Sequence, residues 1–184
     1  NKIKMPYTHS GANASTIAMN KLLTKNYLSQ YFKNTEDQII FPKTFDLKSL
    51  KQYEKFLPLV LKPISGGSSV EINILNNDAD LKNVKDKIFS NKFIVEPLVG
   101  NRELTVSVLE NKPLVVTEII SKKNLFYDYN SKYSSNGSLH ILPAKIPNSI
   151  YNKVTQWAKL AHELLGCSGI SRSDFRYDDR DDRL

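Results

Sequence analysis

Three short runs gather side chains suited to phosphate, nucleotide and charge-stabilising chemistry. The first is Lys62-Pro63-Ile64-Ser65-Gly66-Gly67-Ser68-Ser69. Two adjacent glycines let the backbone approach a ligand closely. Consecutive amides with the Ser68 and Ser69 hydroxyls make a phosphate cradle, and Lys62 adds a cation beside it. A plain hairpin turn would use the same residues. The run is not a P-loop, because no Gly-Lys-Ser/Thr opening a helix follows. The second run is Val95-Glu96-Pro97-Leu98-Val99-Gly100-Asn101-Arg102-Glu103, where two glutamates flank a short apolar connection. A connection of this kind between domains can form an adenine slot, with backbone groups reading the base edge and a carboxylate holding ribose hydroxyls. A solvent-exposed loop is the plainer alternative. The third is Gly169-Ile170-Ser171-Arg172-Ser173-Asp174. Arg172 and Asp174 are two apart, so on a strand they share a face. Arg can clamp a phosphate or an oxyanion and Asp can hold Mg²⁺. A salt bridge on a sheet surface is the commoner arrangement of such a pair.

A fourth run, Phe126-Tyr127-Asp128-Tyr129-Asn130-Ser131-Lys132-Tyr133, has four aromatics within eight residues. Asp128, Asn130 and Ser131 break any strand there, and Ser134-Ser135-Asn136-Gly137-Ser138 extends the break. An aromatic-rich loop reads as a lid, or as a surface loop pinned by its own rings. His9, His140 and His162 have no metal-ligand spacing and no Cys–His pairing. All three read as structural or surface residues, His162 on the polar side of its helix.

The elements that must position these runs follow from periodicity. Ser15 to Lys25 has helical spacing, with Asn13 or Ser15 as cap. Phe56–Lys62 and Val70–Leu75 read as strands flanking the glycine loop, and Asp78–Ser90 as a helix. Strands are predicted at Lys92–Glu96, Leu104–Leu109 and Leu114–Ile120. A long helix capped by Asn148 or Ser149 ends at Gly166. Phe175 marks a last strand, after which the chain stops where a hairpin partner should begin, leaving that strand unpaired. Strands in adjacent pairs separated by helices predict α+β architecture with largely antiparallel sheets.

The chain has 184 residues, 40% hydrophobic and 24% charged, ordinary for a globular protein. No apolar run reaches membrane-spanning length and no signal peptide is visible. Cys167 is the single cysteine, which excludes an internal disulfide and fits a reducing cytoplasm. The net charge of +7 raises a basic nucleic-acid-binding domain as a third reading, but the lysines are scattered rather than striped.

In this order, the pieces resemble the D-alanine–D-alanine ligases, ATP-grasp enzymes of peptidoglycan synthesis. The resemblance rests on Pro6-Tyr7-Thr8-His9-Ser10-Gly11 with Met19-Asn20-Lys21, and on Lys62-Pro63 with Gly67-Ser68-Ser69-Val70. It continues through Glu96 to Glu103 with Leu104-Thr105-Val106, Phe126–Tyr133, His140-Ile141-Leu142-Pro143-Ala144, and Gly166-Cys167-Ser168-Gly169 with Arg172 and Asp174. It implies an ATP-grasp fold of two α+β subdomains: 1–10 as the tail of a preceding domain, 11–94 central, and 95–184 C-terminal and incomplete. It implies ATP held by Lys21, Lys62, Ser68, Ser69, Glu96, Leu98, Val99, Glu103 and Lys132, with Glu96 taking the adenine amino group and Glu103 the ribose. Ser68, Tyr133, Lys132 and Arg172 would be catalytic, and Asp174 would bind Mg²⁺ or Mn²⁺. D-alanine would be the substrate, activated as an acyl phosphate and then attacked by a second D-alanine amine, in the cytoplasm, with no membrane or nucleic-acid partner and a homodimer as the family's common assembly. The remaining metal ligands and the first-substrate domain are not in this sequence, so the chain reads as a fragment that does not ligate alone. The alternative is a non-catalytic ATP-grasp remnant or nucleotide-binding module.

The sequence also departs from the family's pattern. Gly66 replaces a glutamate, Glu71 a glycine, Asn20 an aspartate, and Asn101 the hinge glycine, while Pro97 occupies a position that usually bears an N–H. Glu71 is expected to crowd the phosphate loop with charge and bulk.

Overall fold

The computed structural model describes residues 5, 7–31, 40–67, 70–121 and 138–184. In chain order the elements are α1 (Ala12–Met19), α2 (Lys21–Tyr31), α3 (Leu50–Glu54), β1 (Leu59–Pro63), β2 (Asn73–Leu75), α4 (Asp78–Asn83), α5 (Lys85–Ile88) and β3 (Phe93–Pro97). They continue with β4 (Arg102–Leu109), β5 (Lys112–Pro113), β6 (Thr117–Ser121), β7 (Ser138–Ile141), α6 (Asn148–Leu164) and β8 (Ile170–Tyr177). Among the described residues, no helix is long and apolar enough to cross a membrane.

Alternation builds the first sheet, ordered β2-β1-β3 and antiparallel throughout. Leu59, Leu61 and Val95 point one way and bury against Tyr53, Leu81 and Ile88 of the short helices. Val60, Lys62 and Glu96 point the other way. Each fully buried Leu or Val there contributes about 2 kcal/mol. The division expected between 94 and 95 falls inside β3, whose five residues all pair with β1.

The second sheet centres on β4, paired with β5 and β6 on one side and with β8 on the other, and β7 joins beyond β6. Leu104, Val106 and Val108 are buried against Ile150, Val154 and Ala158 of α6. The opposite face of β4 carries Glu103, Thr105 and Ser107, directly across from Arg176, Asp174 and Arg172 of β8. The last strand is therefore not unpaired, as the sequence had implied. It runs beside β4 over its whole length, and the chain beyond turns back through an Asp178–Arg183 bridge. A third cluster, Leu28 of α2 against Trp157 of α6, with Phe175 beside it, joins the two halves.

Two predicted helices are interrupted. The 15–25 pattern splits at Asn20, which leaves helical geometry (φ −108°, ψ 108°). Its Oδ1 accepts from the amides of Leu22 and Leu23 at 3.1 and 3.0 Å, capping α2. The aspartate usual in the family would cap equally well, so this departure is neutral. Gly11, not Asn13 or Ser15, is the N-cap of α1. The 78–90 pattern breaks at Val84, and α6 is capped at Pro147 rather than at Asn148 or Ser149. His162 is 2% exposed, not on a polar face, and its Nδ1 lies 2.7 Å from Ser171 Oγ.

Candidate functional site

The α1–α2 break places the first cation. The amide of Lys21 donates to Ile64 O at 2.9 Å, and Asn20 bridges Ser65, so the start of α2 is tied to the glycine loop. The Lys21 Nζ then donates to Gly66 O at 3.1 Å. Burial, and after it the neighbouring Lys62, lowers the Lys21 pKa below the ordinary lysine range, against the opposing pull of Glu96. The cations at 21 and 62 are thus close enough to repel.

Glu96 is the centre of this cluster and is 1% exposed. Its Oε1 accepts from Lys25 Nζ at 2.5 Å and from Thr44 Oγ1 at 3.1 Å, and its Oε2 pairs with Lys62 Nζ. Burial alone would raise its pKa, but Lys62 and Lys25 outweigh burial and hold it below the usual carboxylate range. Lys25 Nζ also donates to Thr44 Oγ1 at 2.7 Å and to Pro42 O. Sequence reasoning missed Lys25. The available signal was its place one turn beyond Lys21, on the same face of α2.

The connection after β3 is short, spanning residues 98–101. Gly100 holds φ +63°, and a Cβ there would meet the Tyr177 backbone at 3.0 Å, so this position requires glycine. Asn101, which stands where the family's hinge glycine was expected, is not the left-handed residue. Its side chain instead exchanges hydrogen bonds with Asp179, at 2.7 and 3.2 Å. Pro97 has no N–H, and the Leu98 amide donates to Pro58 O at 3.0 Å. The hinge carbonyls of Val99 and Gly100 accept from Arg176 Nε and Nη2, at 3.1 and 2.9 Å. Arg176 Nη1 lies 3.3 Å from Glu103 Oε2. Burial lowers the Arg176 pKa from its ordinary value, and Glu103 opposes that shift. Arg176, also missed from the sequence, lies two residues beyond Asp174 on the same strand face.

Arg172 and Asp174 pair at 3.0 and 3.1 Å on a largely exposed sheet face, and Thr105 Oγ1 donates to Asp174 Oδ1 at 2.7 Å. The geometry is the salt-bridge alternative raised from the sequence. Among the described residues, no three His, Cys, Asp or Glu side chains gather as a cation site. Among those residues Asp174 is engaged by Arg172 and Thr105. Ser68, Ser69, Lys132 and Tyr133, with the whole Phe126–Tyr133 run, lie outside the described residues.

The expected crowding by Glu71 takes a different form. Its backbone is left-handed (φ 59°), where glycine is favoured, and its carboxylate reaches Lys87 at 3.4 Å. Gly169 (φ +64°) packs so closely on Thr8 O that a Cβ would sit 1.9 Å away. Ser10 Oγ and the Ser168 backbone exchange hydrogen bonds at 3.2 and 3.1 Å beside it. These contacts tie the N-terminal segment to the loop that starts β8.

The family described as "D-ala D-ala ligase C-terminus" matches residues 26–184. A D-alanine--D-alanine ligase of Bartonella henselae is 36% identical across 99% of this chain and 60% of its own length. One of Caulobacter vibrioides is 40% identical across 99% and 57%. The crystal structure of D-alanine--D-alanine ligase from Bacillus anthracis superposes with a TM-score of 0.75 at 26% identity, over 97% of this chain and 59% of that one. VanG D-Ala:D-Ser ligase from Enterococcus faecalis gives 0.71 at 26% identity, over 96% and 53%. The chain spans about 60% of the length of the curated relatives it matches. The lysine-bound glutamate, the glycine turn after it and the strand pair carrying Glu103, Arg172 and Asp174 thus lie on a matching fold: the chain belongs to the D-alanine–D-alanine ligase family and has its ATP-grasp architecture.

Proposed function

We propose that this chain supplies the nucleotide-binding core of an ATP-dependent D-alanine–D-alanine ligation in peptidoglycan synthesis. The observation that carries the reading is the arrangement of Lys21, Lys62 and buried Glu96 at one end of a short hinge, with Glu103 at the other. Lys21 and Lys62 would hold phosphate oxygens, joined by Ser68, Ser69 and Lys132. The hinge backbone at Leu98 and Val99 would read the adenine edge beside Glu96, and Glu103 would accept from ribose hydroxyls. ATP, when bound, supplies the phosphoryl group that activates a D-alanine carboxylate. Arg172 would stabilise the negative charge that develops when an amine attacks that activated carbonyl, usually the largest catalytic term. Ser68 and Tyr133 would orient substrate. No step is assigned to a metal ion.

D-alanine-dependent phosphate release, measured on the purified protein, tests the reading. Release that rises with D-alanine supports it, and release no higher than with ATP alone removes the ligase assignment. A second reading, nucleotide binding without turnover, is favoured by one observation: Asp174 is taken up by Arg172 and Thr105. ATP binding without D-alanine-dependent release would decide for it.

A further inference from the structure

Glu103 and Arg176 are directly opposed across the β4–β8 pair. A guanidinium is a rigid plane with its N–H donors in a fixed fork. In this protein the fork reaches Val99 O at 3.1 Å, Gly100 O at 2.9 Å and Glu103 Oε2 at 3.3 Å. Two consecutive hinge carbonyls and one carboxylate are thereby held by a single planar group. The distance between the hinge backbone and the carboxylate cannot change without breaking at least one of these bonds. The side chain is mostly buried, at 22% exposure, so the loss of one bond is not readily made good by water.

A nucleoside makes a matching demand. Its base edge and its sugar hydroxyls are separated by a stiff glycosidic unit, so the groups that recognise them must keep a fixed spacing. Binding energy is lost when recognition groups have to be ordered at the moment of binding. An ionised carboxylate only accepts hydrogen bonds, which suits it to a pair of hydroxyls.

We propose that Arg176 is a positioning residue that fixes Glu103 relative to the hinge and thereby gives the site its preference for ribonucleotides over sugar-deoxygenated analogues. The proposal rests on the reading of the hinge as the nucleotide site. Arg176 acts through Glu103 and the carbonyls of Val99 and Gly100. A lysine cannot replace it, because a single ammonium does not span three acceptors in one plane.

The test is calorimetric titration of ATP and of 2′,3′-dideoxy-ATP into the unaltered chain, Arg176→Met, Arg176→Lys and Glu103→Ala, each checked for folding by circular dichroism. The unaltered chain should favour ATP by about tenfold or more, the value of one or two hydrogen bonds to a charged group. Arg176→Met should bring that ratio to within about twofold of unity, Arg176→Lys should restore little of it, and Arg176→Met should change nothing further when added to Glu103→Ala. A folded Arg176→Met that keeps the full ratio overturns the proposal, as does full recovery in Arg176→Lys. If Arg176→Met does not fold, Arg176→Lys decides alone. ATP bound without preference over the dideoxy analogue overturns the ribose role while leaving the hinge reading intact. No binding of ATP at all overturns the hinge reading itself.

Discussion

Glu71 shows how one residue can sit at odds with its backbone. A non-glycine residue in the left-handed region carries a penalty from its Cβ, and Glu71 holds φ 59°. Its exposed pairing with Lys87 offsets little of that. Glu71→Gly should therefore raise the stability of the fold by about 1 kcal/mol, read as a shift in the urea midpoint at unchanged slope. His162 makes a prediction in pH. Burial holds its imidazole below the usual 6.5, with Glu163 opposing. The folded value is depressed, so the full stability is present above 6.5 and is lost as pH falls through the folded value, because the unfolded chain takes up the proton first. His162→Gln should flatten that loss between pH 7 and 5 in urea titrations, and an equally steep loss in the variant would exclude His162 as its source. The sequence marked position 71 only through the glycine usual there, and it did not mark the burial of His162. A backbone angle has no residue code, and His162 was misplaced because it adjoins charged Glu163 in a helix with polar stretches. Its Nδ1 meets Ser171 on another element.

Among the elements, the strands were the more legible. The strand predicted at Leu104–Leu109 lies within β4, the one predicted at Val70–Leu75 shortens to Asn73–Leu75, and the two-residue spacing put Arg172 and Asp174 on one face, where they are found. The glycine–serine and hinge runs were located by composition. Helix continuity was not legible, because the break at Asn20 is made by pairing with Ser65, forty-five residues later in the chain. That break brings Lys21 to the glycine loop. The Asn20 side chain holds it by capping α2, and a cap of this kind contributes about 1 kcal/mol. Asn20→Ala should cost that much in urea unfolding and Asn20→Asp should be close to neutral. Equal losses in both would mean that the bridge to Ser65, rather than the cap, sets the junction. Lys25 escaped notice for a related reason. A lysine one turn from another on an exposed-looking helix reads as solvated surface, and only the fold brings the 42–44 segment and β3 to its ammonium.

At the scale of the whole molecule, two sheets with separate cores meet through the hinge and through Leu28 packed on Trp157. Residues that the sequence separates by seventy or more positions, such as Lys25 with Glu96 and Glu103 with Arg176, are thereby brought into contact. The central claim is that this hinge, between a lysine-bound glutamate and a ribose-facing one, holds ATP. It is tested most directly by calorimetric titration of ATP into the chain and into Glu103→Ala. The account predicts saturable binding at one site and a loss of about tenfold in affinity in the variant, the worth of a hydrogen bond to a charged group. No measurable binding, or the same affinity in both proteins, would contradict it.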